Sequence, residues 1–149
     1  MDSPIVGGAL RTVANGGGRV LYESGAAYAE SGAFETERRF LQDYFGLSVQ
    51  FPRELWPAPG SGSPPYVHYR WPSPVMIRDF SRVVTVSREL TSSLHIAKIE
   101  TATVACRCPV GKGEFIFLGS PLGPHLSFGD AEAQRLLNAF VFAERDLKI

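Results

Sequence analysis

A serine that ends a short apolar run and precedes a glycine is a place where a nucleophile can be presented. Ser24 stands in that position, in RVLYESG (residues 19–25). A strand-to-helix turn there would put its hydroxyl at the carboxyl edge of a sheet. His125, in PLGPHLSFGD, could take the proton, and Asp130 or Glu23 could orient the imidazole, giving the arrangement of a small serine hydrolase. The tight elbow of such enzymes needs glycine two residues before the serine, and position 22 is tyrosine. Glu23, Glu30 and Glu35 could supply carboxylates for a metal or for acid–base work, but acids spread along a glycine-rich stretch read as solvated side chains.

Cys106 and Cys108 form a C-x-C pair. On a strand, both point to one face, an awkward geometry for bonding to each other. A zinc site would need two further ligands at recognisable spacing, and His68, His95 and His125 are scattered. The pair reads as packed thiols of a reducing, cytoplasmic compartment, with no metal and no cofactor.

The triple glycine Gly16-Gly17-Gly18 raises the question of a phosphate cradle. Such a loop follows a strand and opens a helix, so that backbone N–H groups and the helix dipole meet the anion. Here the order is helix, glycines, strand, which makes the glycines a cap and a turn. Residues 52–74 hold seven prolines together with Trp56, Tyr66, His68, Tyr69 and Trp71. This composition predicts a long excursion without a central strand through most of its length. Its aromatics, Tyr66, His68 and Trp71 among them, would either make a stacking surface for a sugar or peptide or fold back over the core as a lid.

The elements that must position these groups follow from periodicity. Ser3-Pro4 and the spacing of Ile5, Val6, Ala9, Leu10 and Val13 predict an opening helix, and RVLY a strand. Residues 34–45 predict a second helix with Phe40, Leu41, Tyr44 and Phe45 on its apolar stripe, closed by Gly46. LSVQF, RVVTVS, IETATVACRCPVG and EFIFLG have strand composition, with a hairpin turn at VGKG. Asp130 caps a final helix whose Ala133, Leu136, Leu137, Phe140 and Val141 recur at helical spacing.

A chain of 149 residues, 44% hydrophobic and 20% charged, suits one globular domain over 1–149. Fifteen basic residues balance fifteen acidic ones without like-charge blocks, which argues against nucleic acid or an anionic membrane as partner. The first 18 residues read as neither a signal peptide nor a membrane span.

Three stretches, VANGGGRVLYESG, ETERRFLQDYFGLSV and CRCPVGKGEFIFLGSPLG with GDAEAQRLLNAFVF, together resemble the class I glutamine amidotransferase-like domains, in their non-amidotransferase branch. The resemblance implies an α/β, three-layer flavodoxin-like sandwich with a mostly parallel sheet and an antiparallel hairpin near the C-terminus. Its opening strands would be missing, since only one helix precedes RVLY. In that family a Cys nucleophile at the elbow works with a His-Pro-Glu segment. Here the elbow holds Glu23-Ser24-Gly25, Ser120 stands where the His would be, and Leu122 where the Glu would be. The resemblance thus implies a non-catalytic module for ligand binding or assembly, with Glu23, Ser24, Tyr66, His68, Trp71 and Ser120 as candidate ligand-binding residues for a small molecule or sugar. The exposed sheet edge beside RVLY would be completed by a second copy, making a homodimer, or by a partner domain.

Overall fold

The computed structural model describes residues 4–24, 31–50, 53–54, 66–78, 82–86, 95–99, 102–120, 122, 126–127 and 129–143. Helix α1 (Pro4–Asn15) starts on a proline, whose fixed φ suits the first helical position. It ends in a reversal in which Gly17 takes φ 109°, while Gly18 N–H donates to the Val13 carbonyl and Gly17 N–H to that of Ala14, both at 3.0 Å. The triple glycine is therefore a helix cap leading into strand β1 (Arg19–Glu23). Helix α2 (Ser31–Phe45) follows and stops at Gly46, at φ 65°.

The remaining strands are β2 (Arg53–Glu54), β3 (Tyr66–Tyr69), β4 (Val75–Arg78), β5 (Arg82–Val83), β6 (His95–Ile99), β7 (Ala102–Val110) and β8 (Gly113–Leu118). Helix α3 (Ala131–Phe142) comes last. Six strands form one sheet in the order β1-β8-β7-β6-β3-β4, and β2 and β5 make a small antiparallel pair.

This sheet corrects the expected architecture. Among the described strands only β1 and β8 run parallel, in register from Arg19↔Glu114 to Glu23↔Leu118. The pairs β8–β7, β7–β6, β6–β3 and β3–β4 are all antiparallel. The chain is thus a mixed, mostly antiparallel sheet and not a flavodoxin-like, amidotransferase-like sandwich with a parallel sheet. The physical reason lies in the connections. β7–β8 and β3–β4 are joined by turns too short for the crossover that parallel pairing requires. The described end of the proline-rich stretch is more regular than its composition predicts. Within it Tyr66–Tyr69 is a strand paired on both sides, and prolines Pro72 and Pro74 fall in the turn to β4. LSVQF, expected as a strand, supplies only an isolated bridge from Val49 to Val86.

Two cores fill the two faces of the sheet. On one, Tyr22, Cys106, Cys108, Phe115 and Phe117 pack with Phe34, Phe40 and Leu41 of α2 and Ala14 of α1. The rings of Phe45 and Phe115 stack with centroids 3.7 Å apart. On the other, Val67, Tyr69, Ile116 and Leu118 pack with Ala133, Leu136 and Phe140 of α3. Each of the larger side chains contributes roughly 1.5–3 kcal/mol by its burial.

The start of β1 is fixed by charge. Glu114 is buried and accepts from Arg19 Nε at 2.5 Å and from Arg107 Nε at 2.9 Å. Arg19 Nη1 also donates to the carbonyls of Phe140 (2.6 Å) and Ala143 (3.0 Å), which satisfies the open end of α3. Trp71 lies against both guanidiniums, with the Arg107 carbon 3.8 Å and the Arg19 carbon 5.5 Å from its ring centroid. Removing the shared carboxylate would strand two guanidiniums in a desolvated site. We expect Glu114→Ala to cost about 3–5 kcal/mol, read as a fall in the urea midpoint, with Glu114→Gln recovering part of it by keeping one acceptor.

Candidate functional site

The carboxyl end of β1 is where the sequence places a nucleophile. Ser24 is buried there, its N–H donating to the Leu118 carbonyl at 2.9 Å, so it continues the parallel pairing with β8. Its hydroxyl donates to Glu37 Oε2 of α2 at 2.6 Å. The hydroxyl of Tyr22 donates to the other oxygen of the same carboxylate at 2.9 Å. A single glutamate thus fastens α2 to the end of β1. Its signal in the sequence is the helical position that puts Glu37 one turn before the buried Phe40 and Leu41.

Tyr22 sits among the rings of Phe40, Phe115 and Phe117. Burial first, and then the neighbouring Glu37 charge and its hydrogen bond, hold the phenol well above the usual tyrosine range.

Of the hydrolase trio, Ser24 and Asp130 are described, and each has a partner of its own. Ser24 meets a carboxylate; Asp130 accepts from the Glu132 and Ala133 N–H groups at 2.9 and 3.4 Å as the cap of α3. His125 lies outside the described residues. His95 is on β6, three strand steps from β1, which is about 14 Å across the sheet. Glu23 is exposed at the end of β1, and Glu35 is held by Arg38 at 2.7 Å on the surface of α2. Glu30 lies outside the described residues.

The six candidate ligand-binding residues divide into three places. Glu23, Ser24 and Ser120 share the carboxyl ends of β1 and β8, with Ser120 buried. Tyr66 and His68 lie exposed on β3, four strand steps from β1 and about 19 Å away. Trp71 covers the Arg19–Glu114–Arg107 cluster. The aromatic segment therefore does two things: Tyr69 and Trp71 turn into the core beside Phe140, while Tyr66 and His68 face outward.

Cys106 and Cys108 are free and buried on one face of β7. The hydrogen bond to Cys108, together with burial, holds the Cys106 thiol above its ordinary range, so its protonated form is favoured. No cluster of three His, Cys, Asp or Glu side chains suited to a metal occurs among the described residues. Among them, too, no helix is long and apolar enough to cross a membrane.

A pocket is lined by residues of β3 and β6 and by the residue after β3. Its volume is about 350 Å³, and its walls are His68, Arg70, His95, Ala97 and Lys98. The sequence reading singled out only His68 here. The signal for the rest is alternation, since Tyr66, His68 and Arg70 are spaced by two along a strand hidden among prolines.

No protein-family model matches the chain, and no curated protein matches it either. Solved structures do share its fold. An exo-β-1,4-mannosidase from Opitutaceae bacterium strain TAV5 superposes with a TM-score of 0.60 at 11% identity, over 97% of this chain and 24% of that one. A β-galactosidase from Bacillus circulans sp. alkalophilus gives 0.55 at 14% identity, over 91% of this chain and 21% of its own. A cytoplasmic protein from Salmonella typhimurium LT2 gives 0.60 at 12% identity, covering 95% of this chain and 62% of that protein. The chain therefore spans less than a quarter of either glycoside hydrolase. At these identities the likeness defines the fold, a unit that also occurs inside larger glycoside hydrolases.

The Tyr22–Glu37 contact has a measurable consequence in alkali. A phenol in the unfolded chain ionises near 10, and that of Tyr22 ionises higher when folded. Its contribution to stability is thus fully present below about pH 10 and is lost as pH rises above it, by about 1.4 kcal/mol per pH unit. We expect the native protein to lose stability more steeply than Tyr22→Phe above that pH, compared by urea unfolding at stepped pH.

Proposed function

We propose that this chain is a non-catalytic module that assembles with a second copy of itself, of the kind carried within larger carbohydrate-processing proteins. The observation that carries the reading is the bond between Ser24 and Glu37. The one hydroxyl placed where a nucleophile belongs is spent on a structural contact that fastens a helix. Acyl transfer needs an imidazole or comparable base on that hydroxyl, and an acceptor carboxylate already shared with Tyr22 is a poor substitute.

Assembly is supported by the position of β1. Among the described strands it lies at one edge of the six-stranded sheet and pairs with β8, so the opposite side of its backbone faces no described strand. Leu21, on that strand, is 36% exposed. Val141 and Phe142, 64% and 80% exposed, lie at the end of α3 that Arg19 holds next to the start of β1. An open edge flanked by apolar side chains is hidden most simply by the same edge of a second copy, related by a two-fold axis. The glycoside hydrolases that share the fold support the carbohydrate-processing context.

Two measurements test this. Light scattering after size-exclusion chromatography is expected to give a dimer at micromolar concentration, and Leu21→Lys to shift it toward monomer; a monodisperse wild-type monomer overturns the assembly. A fluorophosphonate probe followed by mass spectrometry is expected to leave Ser24 unlabelled, and labelling there would establish the serine hydrolase instead.

A further inference from the structure

We propose that the pocket formed by His68, Arg70, His95 and Lys98 binds the phosphate group of a small molecule. The site lies at the far end of the sheet from β1, so the proposal stands apart from the assembly reading and the two tests fail separately.

The first argument is charge. The whole chain balances fifteen basic against fifteen acidic residues, yet among the described residues lining this pocket four of five are cationic or can become so, and none of those five is acidic. Such a concentration in a neutral protein makes a local positive field, and concave walls focus it. The second argument is placement. His68 and Lys98 are direct partners in the antiparallel pairing of β3 with β6. Directly opposed side chains on one face approach closely, so the imidazole and the ammonium can reach one anion together.

The third argument is the way the groups are held. Arg70 Nε donates to the His95 carbonyl at 2.8 Å, and Arg70 N–H to the Ile96 carbonyl at 2.9 Å, so the guanidinium is anchored to β6. Thr103 Oγ1 lies 3.1 Å from His95 Nδ1 and shares a hydrogen with it, which sets the plane of the ring. The pairing of β6 with β7 slips at His95–Ala97 and again at Ala97–Lys98. The irregularities fall in the strand that supplies His95, Ala97 and Lys98 to the pocket walls. Arg70 and His95 are therefore positioned by contacts of their own.

Phosphate is the anion that fits this set. A guanidinium and an ammonium supply two permanent charges, matching the dianion of a phosphate monoester, and the imidazoles add donors around a tetrahedral group. A pocket of about 350 Å³ also has room for the small organic part of such a molecule.

Isothermal titration calorimetry with inorganic phosphate at constant ionic strength and near-neutral pH tests the assignment. One saturable site is expected, with competition by glucose 6-phosphate and none by glucose. Lys98→Gln and His68→Gln should each weaken phosphate by about ten-fold or more. Both side chains are exposed, so the melting temperature without phosphate should stay where it is. The proposal is overturned by any of three results: no saturable heat with phosphate, acetate binding as tightly as phosphate, or both variants retaining wild-type affinity.

Discussion

Glu114 lies between two guanidiniums, and this arrangement governs how the layers of the protein meet. A carboxylate taken out of water is costly, and it is tolerated here because Arg19 and Arg107 each hold one of its oxygens. The three residues come from β1, β8 and β7, so their ion pairs span three adjacent strands. Arg19 extends the connection to α3 through the carbonyls of Phe140 and Ala143, and Trp71 extends it to the turn before β4. A slip of one residue in the β1–β8 pairing would turn Arg19 to the opposite face and leave Glu114 buried with half its partners. The network therefore selects a single register as well as holding it.

A second constraint works at the same end by the absence of side chains. A Cβ on Gly113 would lie 2.1 Å from the Gly18 carbonyl oxygen, so the turn after α1 and the turn between β7 and β8 touch backbone to backbone. Lys112 N–H and Glu114 N–H donate to the Asn15 and Gly18 carbonyls across that contact, at 3.2 and 3.1 Å. This approach requires glycine at 113, and Gly17, at φ 109°, makes the reversal that brings the turn there, while the cationic groups gather toward the other end of the sheet, around β3 and β6.

Local chemistry in the sequence was legible where a residue's role depends on its neighbours in the chain. Pro4, the glycines after Asn15, Gly46 and Asp130 mark helix ends, and each lies where the structure begins or stops a helix. EFIFLG and RVLY are strands, as their composition indicates. Strand direction was not legible, because it depends on which strands meet, and nothing local in EFIFLG distinguishes its parallel partner β1 from its antiparallel partner β7. Composition was misleading for YVHY, where flanking prolines obscured a four-residue strand with alternating burial. The candidate site divides along the same line. Ser24 could be found from its setting, but Glu37, Arg70 and Lys98 acquire their roles only through contacts across the fold.

The pairing of β1 with β8 joins residues 95 positions apart in the chain. Such a contact must close a very long loop before it returns any enthalpy, which places this topology among the slower classes of folding reaction. During synthesis, RVLY emerges ahead of EFIFLG and must wait for it before this pairing can form. Over that interval its backbone is an unoccupied template for any other extended segment, so the nascent polypeptide passes through a period in which a holdase that shields it would raise the yield of native protein.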